Sequence, residues 1–201
     1  MNKLIASLLL SLATVGLAQA AGDPLAGQAN TAVCAACHGP DGNSLVPTFA
    51  KLAGQGERYL NKQLHDIKSG RRPVVEMTGM LESLSDQQLS DIAAWYASQA
   101  STSAQADPAL AAAGEALYRG GRLDTGLPAC SGCHGPDGLG LAVAGFPHLR
   151  GQHAPYTARQ LRDFRDGKRT NDGDSRIMRT VAGRLDDQDI EALAAYLQGL
   201  P

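Results

Sequence analysis

The chain has 201 residues, with 18 basic and 20 acidic side chains and a formal net charge of −2. Without a basic block or a basic helix it lacks the electrostatic footprint of a nucleic-acid binder. It has only three Phe and one Trp, little aromatic material for a core, and its four Cys all fall in two copies of one motif, leaving none for a disulfide framework.

Residues 1–20 read as a secretory signal peptide. Lys3 gives the positive start, Leu4 to Leu17 is an uncharged apolar run, and Ala18-Gln19-Ala20 is a small-x-small cleavage site. The run is too short to span a bilayer as a helix, and no later stretch could do so. A mature chain beginning at Ala21, exported to the periplasm and soluble or at most peripheral, is expected.

Asp23-Pro24 then offers an N-cap and a first-turn proline, so a helix is predicted from Pro24 to about Val33. It delivers the chain to Cys34-Ala35-Ala36-Cys37-His38. Two thiols two residues apart can each join one vinyl group of the same porphyrin, and the adjacent His can supply an axial nitrogen to its iron. This is the attachment signature of haem c, and it recurs as Cys130-Ser131-Gly132-Cys133-His134. A redox dithiol or a zinc site would use the same Cys pairs. Neither explains a His directly after both pairs, and zinc would have to gather ligands from positions 34 and 130.

A second helix is predicted over Glu57 to Ser69, with Tyr59, Leu60, Leu64 and Ile67 at turn spacing and Gly70 as its stop. The third is marked by the capping box of Ser85 and Gln88 ahead of Leu89, Ile92 and Trp95-Tyr96. Ser98 to Ala106 is small and polar without apolar period and reads as a linker. Asp107-Pro108 repeats the opening device, with a helix to about Tyr118 and an insertion, Gly120 to Pro128, before Cys130. Pro155 to Asp166 and the segment capped by Asp186 mirror the second and third helices. No alternating strand appears.

The halves align beyond the haem motif. Gly-Pro-Asp-Gly follows both His38 and His134, and Phe49, Leu52, Gln55, Tyr59, Gln63 and Gly70 match Phe146, Leu149, Gln152, Tyr156, Gln160 and Gly167. This is an internal duplication. The fold is expected to be all-α: two tandem domains, 21–100 and 108–201, joined by a linker at 101–107, each with one covalently bound haem filling the interior that aromatics would otherwise fill. The apoprotein is expected to fold poorly. Residues 21–107 carry 9 acidic and 6 basic side chains and residues 108–201 carry 11 of each. That asymmetry can orient the molecule on a redox partner, or it is chance imbalance on a solvated surface.

The repeat also selects the second axial ligand. Leu84 aligns with Leu185, and the same offset carries Met77 onto Met178 but Met80 onto Val181. Met77 and Met178 are therefore the expected distal ligands, in loops between the second and third main helices, and Met80 is read as a core or haem-edge side chain. His65, His148 and His153 have no His at their repeat positions and are read as surface or supporting residues. The predicted iron sets are His38 with Met77 and His134 with Met178. A thioether raises the reduction potential and leaves no open position, which suits an electron carrier and not an enzyme.

With these motifs the sequence resembles the cytochrome c4 family, two class I cytochrome c domains in one chain. The stretches Cys34-Ala-Ala-Cys-His-Gly, Lys51 to Leu60, Glu76 to Leu81, Ala144 to Leu149 and Arg169 to Asp174 carry the resemblance. It implies a periplasmic carrier between a quinol-oxidising complex (a quinol–cytochrome c reductase) and a terminal oxidase, loosely associated with the membrane. It also implies Met77 and Met178 as ligands, and two haems facing each other across the domain interface. A monomer is expected. One departure is visible: class I domains usually place a Pro whose carbonyl accepts the proximal His N–H, and Pro147 fits this while Ala50 stands at the first-half position. Arg71, Arg72, Lys168 and Arg169 are candidates to pair with haem propionates, solvent exposure being the alternative. Competing functions are the cytochrome subunit of an oxidoreductase such as a flavin-dependent sulfide dehydrogenase, and a dihaem peroxidase or gas sensor, which would need an open iron.

Overall fold

The two Asp-Pro pairs begin the two halves. In the computed structural model, which describes residues 22–200, the Asp23 carboxylate accepts from the Leu25 and Ala26 N–H groups at 2.9 and 3.4 Å and opens α1 (Pro24–Ala29). Asp107 accepts from Ala109 at 2.9 Å and opens α5 (Pro108–Gly120). The expected signal peptide, residues 1–20, lies outside the described residues.

The single helix predicted from Pro24 to Val33 is broken. Asn30 returns its side-chain amide to the Ala26 carbonyl, and Thr31 returns its hydroxyl to the Gln28 carbonyl, both at 2.8 Å. These polar side chains occupy carbonyls that would otherwise continue the ladder. The chain restarts as α2 (Ala32–His38), which carries the first haem motif; the second lies on the one-turn α6 (Ser131–His134).

The remaining helices follow the sequence signals closely. They are α3 (Glu57–Lys68), α4 (Asp86–Ala97), α7 (Ala154–Arg165) and α9 (Asp187–Gly199), while the short α8 (Ile177–Ala182) forms where a loop was expected. The Ser85–Gln88 capping box is formed in both directions, and Asp186 caps α9 together with Asp189. Among the described residues there is no strand; two isolated antiparallel bridges, Arg122–Leu127 and Leu141–Phe146, close turns. The fold is all-α, as the periodicity indicated.

In each half the opening helix crosses the last one at a glycine. A Cβ on Gly27 would lie 2.0 Å from the Asp91 carbonyl oxygen, and one on Gly114 would lie 2.1 Å from that of Ala192. Only hydrogen fits at either crossing. Behind the α5–α9 crossing, Tyr118, Ile190, Leu193 and Leu197 are fully or nearly fully buried. The first half has a smaller cluster of Leu60, Ile92, Ala93 and Tyr96. Between Ser101 and Asp107 the chain has no regular structure, but its backbone is tied to both halves: Asn43 accepts from the Thr102 N–H at 2.9 Å, and the Ala104 N–H reaches the Gln198 carbonyl at 3.3 Å.

Candidate haem sites

Each motif histidine is fixed by a backbone carbonyl. His38 Nδ1 lies 2.8 Å from the Ala50 oxygen, and His134 Nδ1 lies 3.0 Å from the Pro147 oxygen. A carbonyl can only accept, so Nδ1 carries the proton in both rings and Nε2 keeps its lone pair. Burial holds both imidazoles below their ordinary pKa, hence neutral and able to ligate. Ala50 thus does what the usual proline does, because the acceptor is main chain. Phe49 and Phe146 stand edge-on to the two rings, at centroid distances of 6.4 and 6.1 Å.

In each pair one thiol faces inward and one outward. Cys34 and Cys130 pack against the two cores, while Cys37 and Cys133 are exposed. Burial raises the Cys34 thiol and pushes Cys130 to about 11. The inner thiols stay protonated at neutral pH in the absence of a thioether bond.

Cys34, His38 and Met77 open into the same cavity, of ≈ 1020 Å³, as Cys130, Cys133, His134 and Met178. Leu52, Leu60, Ile67, Leu161 and Val181 give it apolar walls. Met80, the rival to Met77, is absent from the wall and 40% exposed. The two methionine segments differ from each other. Met77 ends a 3-10 turn (Val75–Met77), whereas Met178, expected in a loop, is the second residue of α8. That helix forms because the Asp172 carboxylate, six residues before Met178, accepts the Arg179 N–H at 3.0 Å and caps it from outside.

A buried polar cluster closes the cavity where the halves meet. Arg72 reaches Gln63 of its own half at 3.0 Å, and Tyr156 and Gln160 of the other, both at 2.9 Å. Arg169 mirrors it, reaching Gln160 at 2.7 Å and Tyr59 and Gln63 at 3.1 and 3.0 Å. The two guanidinium groups are 8% and 7% exposed and hydrogen-bond only to neutral groups. Buried cations without a directly bonded anion are costly, and the carboxylate of Asp66 reaches this cluster only through Asn171. Arg71 and Lys168, grouped with them from the sequence, are instead exposed and turn to Asp66 and Asp166.

Two of the histidines read as surface or supporting residues are cross-domain struts. His148 Nδ1 donates to the Gly54 carbonyl at 3.0 Å, and His153 Nε2 meets the Ser44 carbonyl at 2.8 Å. His65 alone sits at the surface, 3.7 Å from Asp86. Gln55 and Gln152 complete the seam. Each side-chain amide both donates to and accepts from one backbone residue of the opposite half, Gln55 with His148 at 2.8 Å and Gln152 with Lys51 at 2.9 Å. The repeat alignment had paired Gln55 with Gln152, Gln63 with Gln160 and Tyr59 with Tyr156. That each binds across the seam was not readable from it.

The residues fit two haems. From each half an inner thiol, a neutral imidazole with Nε2 free and a thioether open into one apolar cavity, Cys133 lining it as well and Cys37 lying outside its wall, and the buried guanidinium groups of Arg72 and Arg169 that also line it match carboxylates.

A comparison with protein-family models matches this chain to cytochrome c, over residues 25–100 and again over 111–201. It is 64% identical over 200 residues to a cytochrome c4 of Pseudomonas aeruginosa, covering the whole of both chains. The crystal structure of reduced recombinant cytochrome c4 from Pseudomonas stutzeri superposes with a TM-score of 0.89 at 62% identity, covering 90% of this chain and 100% of that one. A thiosulfate dehydrogenase electron acceptor of Thiomonas intermedia is 38% identical over 175 residues, 85% of this chain and 79% of that protein.

Proposed function

This chain belongs to the cytochrome c4 family of dihaem electron-transfer proteins, and from that premise we propose that it works in the periplasm as a shuttle from a quinol-oxidising complex to a terminal oxidase. Its two haem c groups supply reversible one-electron chemistry at iron. In this reading Cys34 and Cys37 hold the first haem and Cys130 and Cys133 the second; His38 with Met77, and His134 with Met178, are the axial pairs. Residues 21–100 and 108–201 are the two haem domains and 101–107 the linker.

The observation that carries the reading is that both ligand sets line one shared cavity while each His is already oriented by its Nδ1 bond. Ligands held in advance change little when the charge changes, which keeps reorganisation small, and the apolar wall keeps water from the iron. In this reading Arg72 and Arg169, held by Gln63, Gln160 and the two tyrosines, neutralise the haem carboxylates. Among the described residues no helix is long and apolar enough to cross a membrane. Any membrane association in this reading is loose and peripheral, and the working form is a monomer.

The test is the visible spectrum of the dithionite-reduced protein with and without carbon monoxide, beside a haem count. Two haems and no change with carbon monoxide are expected. A shift in half or all of the haem would replace the shuttle with a dihaem peroxidase or gas sensor.

A second reading of the donor is favoured by the Thiomonas relative, whose partner is a thiosulfate dehydrogenase. Stopped-flow reduction separates the two. Rapid reduction by a thiosulfate dehydrogenase with thiosulfate, and slow reduction by a quinol–cytochrome c reductase, would move the protein to sulfur oxidation. Co-purification with a stoichiometric flavoprotein would instead make it the subunit of a sulfide dehydrogenase.

A further inference from the structure

Met77 and Met178 stand on segments built to different strengths. Before Met178 the chain is closed by an ion pair: Asp172 Oδ1 accepts from Arg179 Nε at 2.7 Å, and Oδ2 from the Arg179 backbone N–H at 3.0 Å. Arg179 Nη2 also donates to the Gly173 carbonyl at 2.7 Å. The two side chains are only 7% and 19% exposed. They bracket Met178, so the segment is fastened on both sides of the ligand. The fastening is needed locally, because Arg176 sits at the N-cap of α8 with φ of 48° and no side-chain capping bond. Asp172 does the capping from four residues upstream.

The first half has no such pair. The offset of 101 that aligns the methionines puts Arg71 where Asp172 stands and Thr78 where Arg179 stands. The Val75–Met77 turn has no side-chain cap, and Val75 is 86% exposed. Beyond its own backbone bonds, its side-chain polar ties are an exposed Thr78 hydroxyl to the Val75 carbonyl at 2.9 Å and a solvent-facing Glu76–Arg159 approach at 3.5 Å. Exchange of an axial Met requires its segment to swing away. In the second half that motion breaks a largely buried, doubly hydrogen-bonded ion pair; in the first it breaks contacts already shared with water.

We propose that Asp172 and Arg179 are positioning residues for Met178, so that the second haem stays closed to small added ligands and the first, held by Met77, is the one they reach. The inference rests on the Met77 and Met178 ligand reading above.

The experiment is an imidazole titration of the ferric holoprotein followed by proton NMR, where each iron-bound Met methyl gives its own strongly shifted signal, assigned with Met77→His and Met178→His. In the parent protein the Met77 signal should vanish at imidazole concentrations about tenfold or more below those that remove the Met178 signal. Asp172→Asn should close that gap by sensitising Met178 alone. Arg179→Lys, which keeps the charge and loses the fork, should fall between. Equal or reversed order in the parent overturns the proposal, as does an unmoved Met178 in both variants. Equal loosening of both haems also overturns it, because that is the signature of a general fold contact. A parent without two Met signals would sink the ligand reading instead.

Discussion

At the scale of single residues, the carbonyl at position 50 orients the His38 ring and two interior arginines bring positive charge to the cavity wall. Arg72 and Arg169 are buried cations bonded only to neutral partners, and a nearby positive charge favours the ferrous over the ferric form. Arg72→Gln or Arg169→Gln should lower at least one haem potential by on the order of 50 mV, close to a tenfold change for one electron. The exposed Arg71→Gln should leave both potentials nearly in place. Spectroelectrochemical titration reads all three, and unchanged potentials in both buried variants would remove the propionate assignment. Asp66 carries a different signal. Burial works to raise its carboxyl, but hydrogen bonds from Lys62 and Asn171 and the charges of Lys62 and Arg71 outweigh it, and its pKa lies below the ordinary 3.8. A depressed folded pKa means its stabilisation is complete above about 3.8 and is lost as pH falls through the lower folded value. The melting temperature of Asp66→Asn should therefore fall below the parent's at neutral pH and converge on it as the pH is lowered below 3.8 and through the depressed folded value. A constant offset across that range would show that the charge is not what matters.

Among the elements, the α1–α4 and α5–α9 crossings are the sharpest constraint. Each depends on a glycine whose missing Cβ lets two backbones touch. Gly114→Ala would put a methyl against the Ala192 carbonyl and the Tyr196 Cβ, and overpacking of this kind costs about 1–3 kcal/mol. A drop in Tm of roughly 5 °C or more should follow in thermal melts of the holoprotein. Gly120→Ala, in the same helix with nothing within 4 Å of the new carbon, is the matched control and should not lower Tm. The broken first helix belongs to this scale too. By ending α1 at Asn30, the chain gains the freedom to aim α2, and with it both thiols and His38, independently of the crossing.

For the whole molecule, the seam between the halves joins two small domains through buried and part-buried hydrogen bonds. Gln55 and Gln152 form four hydrogen bonds to backbone across it, at 2.8 to 2.9 Å. Removing them leaves buried main-chain groups unpaired, at about 1–3 kcal/mol each. The Gln55→Leu, Gln152→Leu double variant should turn a single calorimetric transition of the holoprotein into two, one per domain. A single transition at an unchanged temperature would mean that the Arg72–Arg169 cluster alone holds the halves together. The seam borders the shared cavity, and His38, Met77, His134 and Met178 all line it, so in the proposed ligand reading the haem separation depends on the same contacts that hold the domains.

The sequence by itself determined the chemistry. Two C-x-x-C-H motifs state the cofactor and its number, because covalent attachment demands a fixed local spacing, and they nominate His38 and His134 as the proximal ligands proposed above. Helical periodicity, Asp-Pro starts and the capping boxes gave the all-α fold, because caps and turns are local interactions. The offset of the repeat singled out Met77 over Met80 without any coordinates. What needed tertiary structure was everything that depends on approach between distant segments. The Ala50 carbonyl's reach to His38, the burial of Arg72 and Arg169 while Arg71 and Lys168 stay in solvent, and the use of His148 and His153 as struts are all set by how the halves meet. So is the Asp172–Arg179 pair, which caps the short helix that carries Met178 where the N-cap residue Arg176 makes no side-chain bond of its own. Sequence spacing names the groups that can react; only packing decides which charges lose their water and which ligands are held fast.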